Sequence, residues 1–207
     1  MRTNDITSLP DVIIPLFHVD SVQRNAKFAS GDFMPSCEDG KWCGKGMYFW
    51  DNLSNVKYWI RDKHRKHPKL TVGVAKASLV CSRSDVLDLT DEDTSKKLKS
   101  TAILYAKKYG VTINIKNNGN VINFIHDVIC RENKIASADE KQPIFSVVKV
   151  AGYYKNIDKD GLVASNENYK KISATAHMKL IYAVRESALL QRRKVINLAE
   201  EEITNVF

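Results

Sequence analysis

A short run, Gly44-Lys45-Gly46-Met47-Tyr48-Phe49, constrains this chain more than any other stretch. It follows Leu16-Phe17-His18 by about thirty residues. A basic turn flanked by glycines runs directly into an aromatic strand, and a histidine lies upstream in apolar sequence. Gly44 and Gly46 let the backbone take positive φ and let another group approach the main chain closely. Tyr48 and Phe49 then set aromatic faces beside the opening. The combination suits a flat polar ring, stacked on one side and hydrogen-bonded by backbone on the other, such as a nucleotide base or nicotinamide.

The flanking sequence supplies the elements that would hold such a site. Val12 to Val19 reads as a buried strand with Pro15 near its start. Ser21 to Ser30 reads as a short helix ended by Gly31, and Asp32 to Lys45 as a loop. Met47 to Trp50 is a short strand. Leu53, Val56, Trp59 and Ile60 recur at helical spacing over Asn52 to His64, with Asp51 or Asn52 as N-cap. Leu70 to Val80 alternates as a strand, and Val86 to Leu89 is a shorter one. Thr90 opens a helix with acids in its first turn, running to Tyr109 and stopped by Gly110. Asn117-Asn118-Gly119-Asn120 reads as a turn and Val121 to Cys130 as a second helix. Gln142 to Val150 and Lys179 to Arg185 are late strands, while Ser187 to Leu198 fits a helix or a strand. The pattern is α+β: one domain over residues 1–207, strand-rich at both ends, with a helical insertion at approximately 90–130.

At 207 residues and 43% hydrophobic, the chain can bury a substantial core. No run of eighteen apolar residues occurs, and Met1 to Thr7 lacks a signal-peptide pattern, so a protein without membrane contact is expected, cytoplasmic or delivered into a host cytoplasm. Cys37, Cys43, Cys81 and Cys130 are scattered without metal-ligand spacing, which argues for reduced thiols and against zinc. The net charge is +8, with basic clusters at Arg61–Lys69, Lys96–Lys99 and Arg192–Lys194. These fit a solvated surface or a phosphate-bearing partner. No nucleic-acid platform with interleaved aromatics is visible in the sequence.

The stretch from Leu16 to Trp59 resembles the nicotinamide-binding half of ADP-ribosyltransferases of the His-Tyr-Glu type, the group of poly(ADP-ribose) polymerases and diphtheria-like toxins. The residues that carry the resemblance are Leu16-Phe17-His18, Gly31-Asp32-Phe33, Gly44-Lys45-Gly46-Met47-Tyr48-Phe49, Asp51 and Tyr58-Trp59. The resemblance implies split antiparallel sheets with flanking and inserted helices, and NAD as substrate. It places His18 on the adenosine-side ribose, Tyr48 against the nicotinamide and Tyr58 or Trp59 as the opposite wall. Val19, Asp20, Gly46 and Phe49 complete the implied binding set. The alternative for His18, Tyr48, Phe49 and Trp59 is a plain core role.

Two departures separate the chain from the family. Val19 and Asp20 stand where the family carries Gly and Ser or Thr. The family's catalytic Glu, at the start of the last core strand, aligns with Lys179 or Leu180, so Lys179 joins His18 and Tyr48 as a candidate catalytic position. Glu186 lies seven residues further along, roughly 20 Å away on an extended strand. Glu167 or Glu140 would have to reach in from elsewhere. The resemblance therefore implies transfer of a single ADP-ribose to an intracellular protein or nucleic acid, as in a toxin, defence protein or effector. An antitoxin or inhibitor protein is a further possible partner. The alternative is a degenerate module that binds NAD, ADP-ribose or a protein without catalysis.

Overall fold

The fold is organised by a seven-stranded mixed sheet whose strands come from both ends of the chain. The computed structural model describes residues 12–37, 40, 42–153 and 178–200. In chain order the elements are β1 (Val12–Ser21), α1 (Val22–Ala29), β2 (Met47–Trp50), α2 (Leu53–Lys66), β3 (Val72–Cys81), β4 (Val86–Asp88), α3 (Glu92–Tyr109), α4 (Asn118–Glu132), β5 (Val147–Tyr153), β6 (Met178–Val184) and β7 (Leu190–Ile196). The strand order is β4-β5-β6-β2-β1-β3-β7. Only β4 and β5 run parallel.

Side-chain alternation along the strands sorts the core into two layers. Phe17, Val19, Trp50, Ile181 and Ala183 face one side, where they meet Val56 of α2, Ala102 of α3 and Ile122 and Ile125 of α4. Leu16, Met47, Phe49, Tyr182 and Val184 face the other, where Phe28 of α1 covers them. Phe28, Phe49 and Leu16 are fully buried, and each such side chain contributes about 1.5–3 kcal/mol of transfer free energy.

Local chemistry sets the helix ends. The side chains of Ser21, Asn52, Asp91 and Asn117 each accept from a backbone N–H in the first turn of the following helix. Gly110 closes α3 in the left-handed region, with φ of +64°. Two sequence expectations change, and a third, open between helix and strand, resolves to a strand. Asn117–Asn120 is the capped start of α4 rather than a turn before it. Residues 142–146 lie outside the sheet, and β5 begins at Val147. The Ser187–Leu198 segment forms a short 3-10 turn and then β7, which pairs with β3 at the sheet edge.

At its centre the sheet narrows. β1 and β3 pair over ten residues, and β2 and β6 over four. Between β1 and β2 the register is one pair, Phe17 with Trp50. From His18 onward β1 has ladder partners only on its β3 side, among the described residues. The two halves of the sheet therefore part immediately after Phe17.

Candidate functional site

Where β1 and β2 separate, two adjoining cavities open, of about 430 and 830 Å³. Volumes of this size are usual for small-molecule sites. His18, Ser36, Tyr48 and Lys63 line both. His18 spans the gap: its Nδ1 lies 2.7 Å from the main-chain oxygen of Tyr48. A carbonyl oxygen only accepts, so Nδ1 carries the proton and donates. Behind the ring, Phe49 and Phe28 pack at centroid distances of 5.4 and 6.3 Å. These two aromatics hold the imidazole at the opening.

The wall formed by β1 is charged. Asp20 Oδ2 lies 3.6 Å from His18 Nε2 and 3.2 Å from Arg24 Nε, while Oδ1 lies 3.0 Å from Lys63 Nζ. Oδ1 also accepts the Ser21 N–H at 2.7 Å. Burial pushes the carboxyl up, but the bonds from His18, Ser21 and Lys63 outweigh it and hold Asp20 far below the ordinary carboxylate range. Among the described residues it is the one carboxylate lining either cavity.

The opposite wall is locked, and the groups it turns to the cavities are uncharged. The Tyr48 hydroxyl donates to Gly44 O at 2.8 Å and accepts the Cys43 N–H at 3.1 Å. Burial pushes that phenol well above its usual range and the Cys43 thiol up to about 12. The Lys45 N–H donates to Asn123 Oδ1 on α4 at 2.7 Å, and Arg185 Nη2 donates to the same oxygen at 2.9 Å. Gly46 exchanges both backbone hydrogen bonds with Ser36. Packing accounts for both glycines. A Cβ on Gly44, where φ is +72°, would sit 2.3 Å from Asn123 Oδ1; one on Gly46 would sit 3.0 Å from Val184 O. The backbone N–H groups of Lys45 and Gly46 are thus spent inside the protein.

Three tryptophans close the smaller cavity. Trp59 packs on Trp50 at 5.1 Å and meets Trp42 at 6.4 Å with an interplanar angle of 62°. The indole N–H groups of Trp50 and Trp59 are buried and have no hydrogen-bond partner among the described residues. Buried donors left in this state cost free energy unless a ligand or water accepts from them.

His18, Val19, Tyr48 and Trp59 line the smaller cavity, and His18, Asp20, Gly46 and Tyr48 the larger. Phe49 does not contact the opening; it backs His18 from the buried layer. Tyr58 meets Trp59 edge-on and lines neither cavity, so the helix phase selects Trp59 as the wall residue. Lys179 hydrogen-bonds Ser54 in the first turn of α2 rather than facing the cavities. Burial lowers its pKa, opposed by Asp51. Glu186 accepts from Ser146 Oγ at the other end of β6, and Glu140 caps Ser137 on the surface. Glu167 lies outside the described residues. No cluster of three or more potential metal ligands occurs among the described residues, and none of their helices is long and apolar enough to cross a membrane. None of the four cysteines forms a disulfide. Sequence reasoning missed Ser36 and Trp42 and named Lys63 and Lys66 only within the basic cluster; the fold brings all four to the cleft.

No family model and no solved structure matches the chain. An uncharacterized protein of the archaeon Methanocaldococcus jannaschii is 29% identical over 82 residues, 38% of this chain and 38% of its own length. The chain thus spans well under half of the curated relative it matches.

Proposed function

We propose that the chain is a mono-ADP-ribosyltransferase that uses NAD as substrate. One observation carries the reading: His18 of β1, Tyr48 of β2 and Trp59 of α2 meet where the two halves of the sheet part. The narrow β1–β2 junction also fits the split-sheet architecture that the Leu16–Trp59 resemblance implies. The cavity's aromatic walls suit a nicotinamide ring, and the unpartnered indole donors of Trp50 and Trp59 suit a ligand rich in acceptors.

In this reading the bond between nicotinamide and ribose C1′ breaks, and the bonding pair leaves with nicotinamide. An acceptor nucleophile forms the new bond to C1′, and its proton passes to solvent. His18, fixed through Nδ1 by Tyr48 O, orients the dinucleotide. Asp20 places a carboxylate at the cleft, where negative charge favours an oxocarbenium-like transition state. Lys179 has no direct part, because it is turned toward Ser54. That same placement favours a second reading, a module that binds NAD or ADP-ribose without catalysis.

Incubating the protein with labelled NAD and a cell lysate tests both. Transfer of label to macromolecules, lost in His18→Ala, is the expected result. NAD binding without transfer selects the binding module, and absence of NAD binding overturns both readings.

A further inference from the structure

Trp42 stands out on the surface of the cleft. Half of it, 51%, is exposed, although it touches the edge of Trp59 and lines the smaller cavity. Singly exposed apolar residues are ordinary, so what distinguishes Trp42 is its place in a cavity wall beside cations. Lys63 and Lys66 line the same cavity. Spacings of four and three residues put Trp59, Lys63 and Lys66 on one face of α2. Over Arg61–Lys69 the chain carries five Lys or Arg, two His and one carboxylate, Asp62. Asp62 pairs with Arg65 at 2.6 Å and Lys66 at 2.7 Å, and Asp20 of β1 pairs with Lys63 at 3.0 Å, so two of the five charges are offset and an excess of three remains. A helix C-terminus attracts cations, but its partial charge of about half an electron is satisfied by one.

We propose that the acceptor is a single-stranded nucleic acid, with one base stacked on Trp42 and its flanking phosphates along the Lys63–Lys66 face of α2. The inference rests on the transferase reading for what is transferred. A stacking aromatic interleaved with backbone-tracking cations is the usual construction of a single-strand site. A duplex does not meet these groups, because its bases are already stacked and must be extruded to lie on Trp42. An acidic peptide would use the lysines and leave the indole face bare. The position of Trp42 in the cavity that His18 and Tyr48 also line brings the stacked nucleotide to the reacting C1′. A nitrogen or oxygen of that nucleotide then forms the bond to C1′ as nicotinamide departs, and its proton goes to water.

The test uses the full chain and fluorescein-labelled DNA and RNA of about a dozen nucleotides, single-stranded and duplex, with anisotropy read between about 50 and 200 mM salt. Calorimetry measures NAD binding on the same preparation. The single strand is expected to bind at least about tenfold tighter than the duplex, weakening steeply with salt. Trp42→Ala should weaken it roughly ten- to a hundredfold. Lys66→Gln, which leaves Arg65 to pair with Asp62, should weaken it and flatten the salt dependence. Equal binding of the duplex, equal or tighter binding of polyglutamate or anionic vesicles, or undiminished binding by both variants overturns the proposal. NAD binding without oligonucleotide binding overturns it and leaves the transferase reading intact. Trp42-dependent oligonucleotide binding without NAD binding supports the surface and overturns the acceptor role.

Discussion

The two walls of the cleft are built in opposite ways. The Gly44–Tyr48 wall turns uncharged groups to the cavities and is held by hydrogen bonds and close backbone contact, with Asn123 tying the Lys45 N–H and the Arg185 guanidinium together from a side chain only 5% exposed. The Asp20 wall is held by charge, with His18, Arg24 and Lys63 gathered around one carboxylate at the edge of solvent. The difference separates motif from function. The glycines that dominate the Gly44–Phe49 motif serve the scaffold, whereas the groups that line the cavities are dispersed through the chain.

The sharpest way to break this contrast is Gly44→Ala. The new Cβ meets Asn123 Oδ1 and, at 3.1 Å, Gly119 O, in a backbone conformation that L-residues avoid. A loss of about 3 kcal/mol or more is expected, which lowers Tm by roughly 6–12 °C for a chain of this size. Differential scanning calorimetry reads this directly; an unchanged Tm would mean the turn is not locked. Asn123→Ala comes next, at about 2 kcal/mol, because it strips the Lys45 N–H and Arg185 of a shared acceptor. Combining the two should cost less than the sum by at least about 0.5 kcal/mol, since the second change removes the clash made by the first. Strict additivity would show that Gly44 and Asn123 do not act on one another.

Much of the fold was legible because periodicity and capping agreed. β1, α1, β2, α2 and β3 fall within two or three residues of their expected bounds, and Gly110 ends α3 as read. The failures have separate physical causes. Asn117–Asn120 has the composition of a turn, but Asn is equally an N-cap, and tertiary packing of Val121, Ile122 and Ile125 extends the helix back to Asn118. Gln142 to Ser146 carries apolar Ile144 and Phe145, yet the Ser146 N–H bonds Asp85 O outside the ladder. β7, left open between helix and strand, is an edge strand with an irregular register against Lys76–Ser78 and a positive φ at Arg192, so no clean period-two pattern chose between the two readings. In the site, His18 and Tyr48 could be read because the motif names them. The Asp20–Lys63 pair joins residues 43 apart, which no local pattern encodes. The choice between Tyr58 and Trp59 needed the phase of α2 against the sheet.

Tyr48→Phe sharpens the neutral side. It keeps the ring on the cavity wall and removes the hydroxyl that bridges Gly44 O and the Cys43 N–H. The expected loss is about 1.5 kcal/mol, roughly 3–6 °C in Tm. That loss should be insensitive to salt, because no ionised group takes part. A loss that shrinks in molar salt would tie Tyr48 to the charged wall instead.

Asp20→Asn probes the charged side and has the smallest effect, about 1 kcal/mol or less, because Arg24 is half exposed and the cluster is screened. Its signature is the pH dependence. The folded carboxyl titrates far below its unfolded value of about 3.9, so the folded state binds fewer protons in the window between the two. The stabilisation is fully present above the unfolded value and is lost as pH falls through the depressed one. The Tm gap between wild type and Asp20→Asn should therefore hold constant above about pH 5 and close below about pH 4. Asp62 and Asp88 are depressed in the same direction and Asp51 is raised, but both chains carry all three, so the difference isolates Asp20. High salt should narrow the gap at neutral pH while leaving the Gly44→Ala loss untouched. A gap that persists at low pH would show that Asp20 holds its wall by shape and hydrogen bonding, and the two walls would then be built alike.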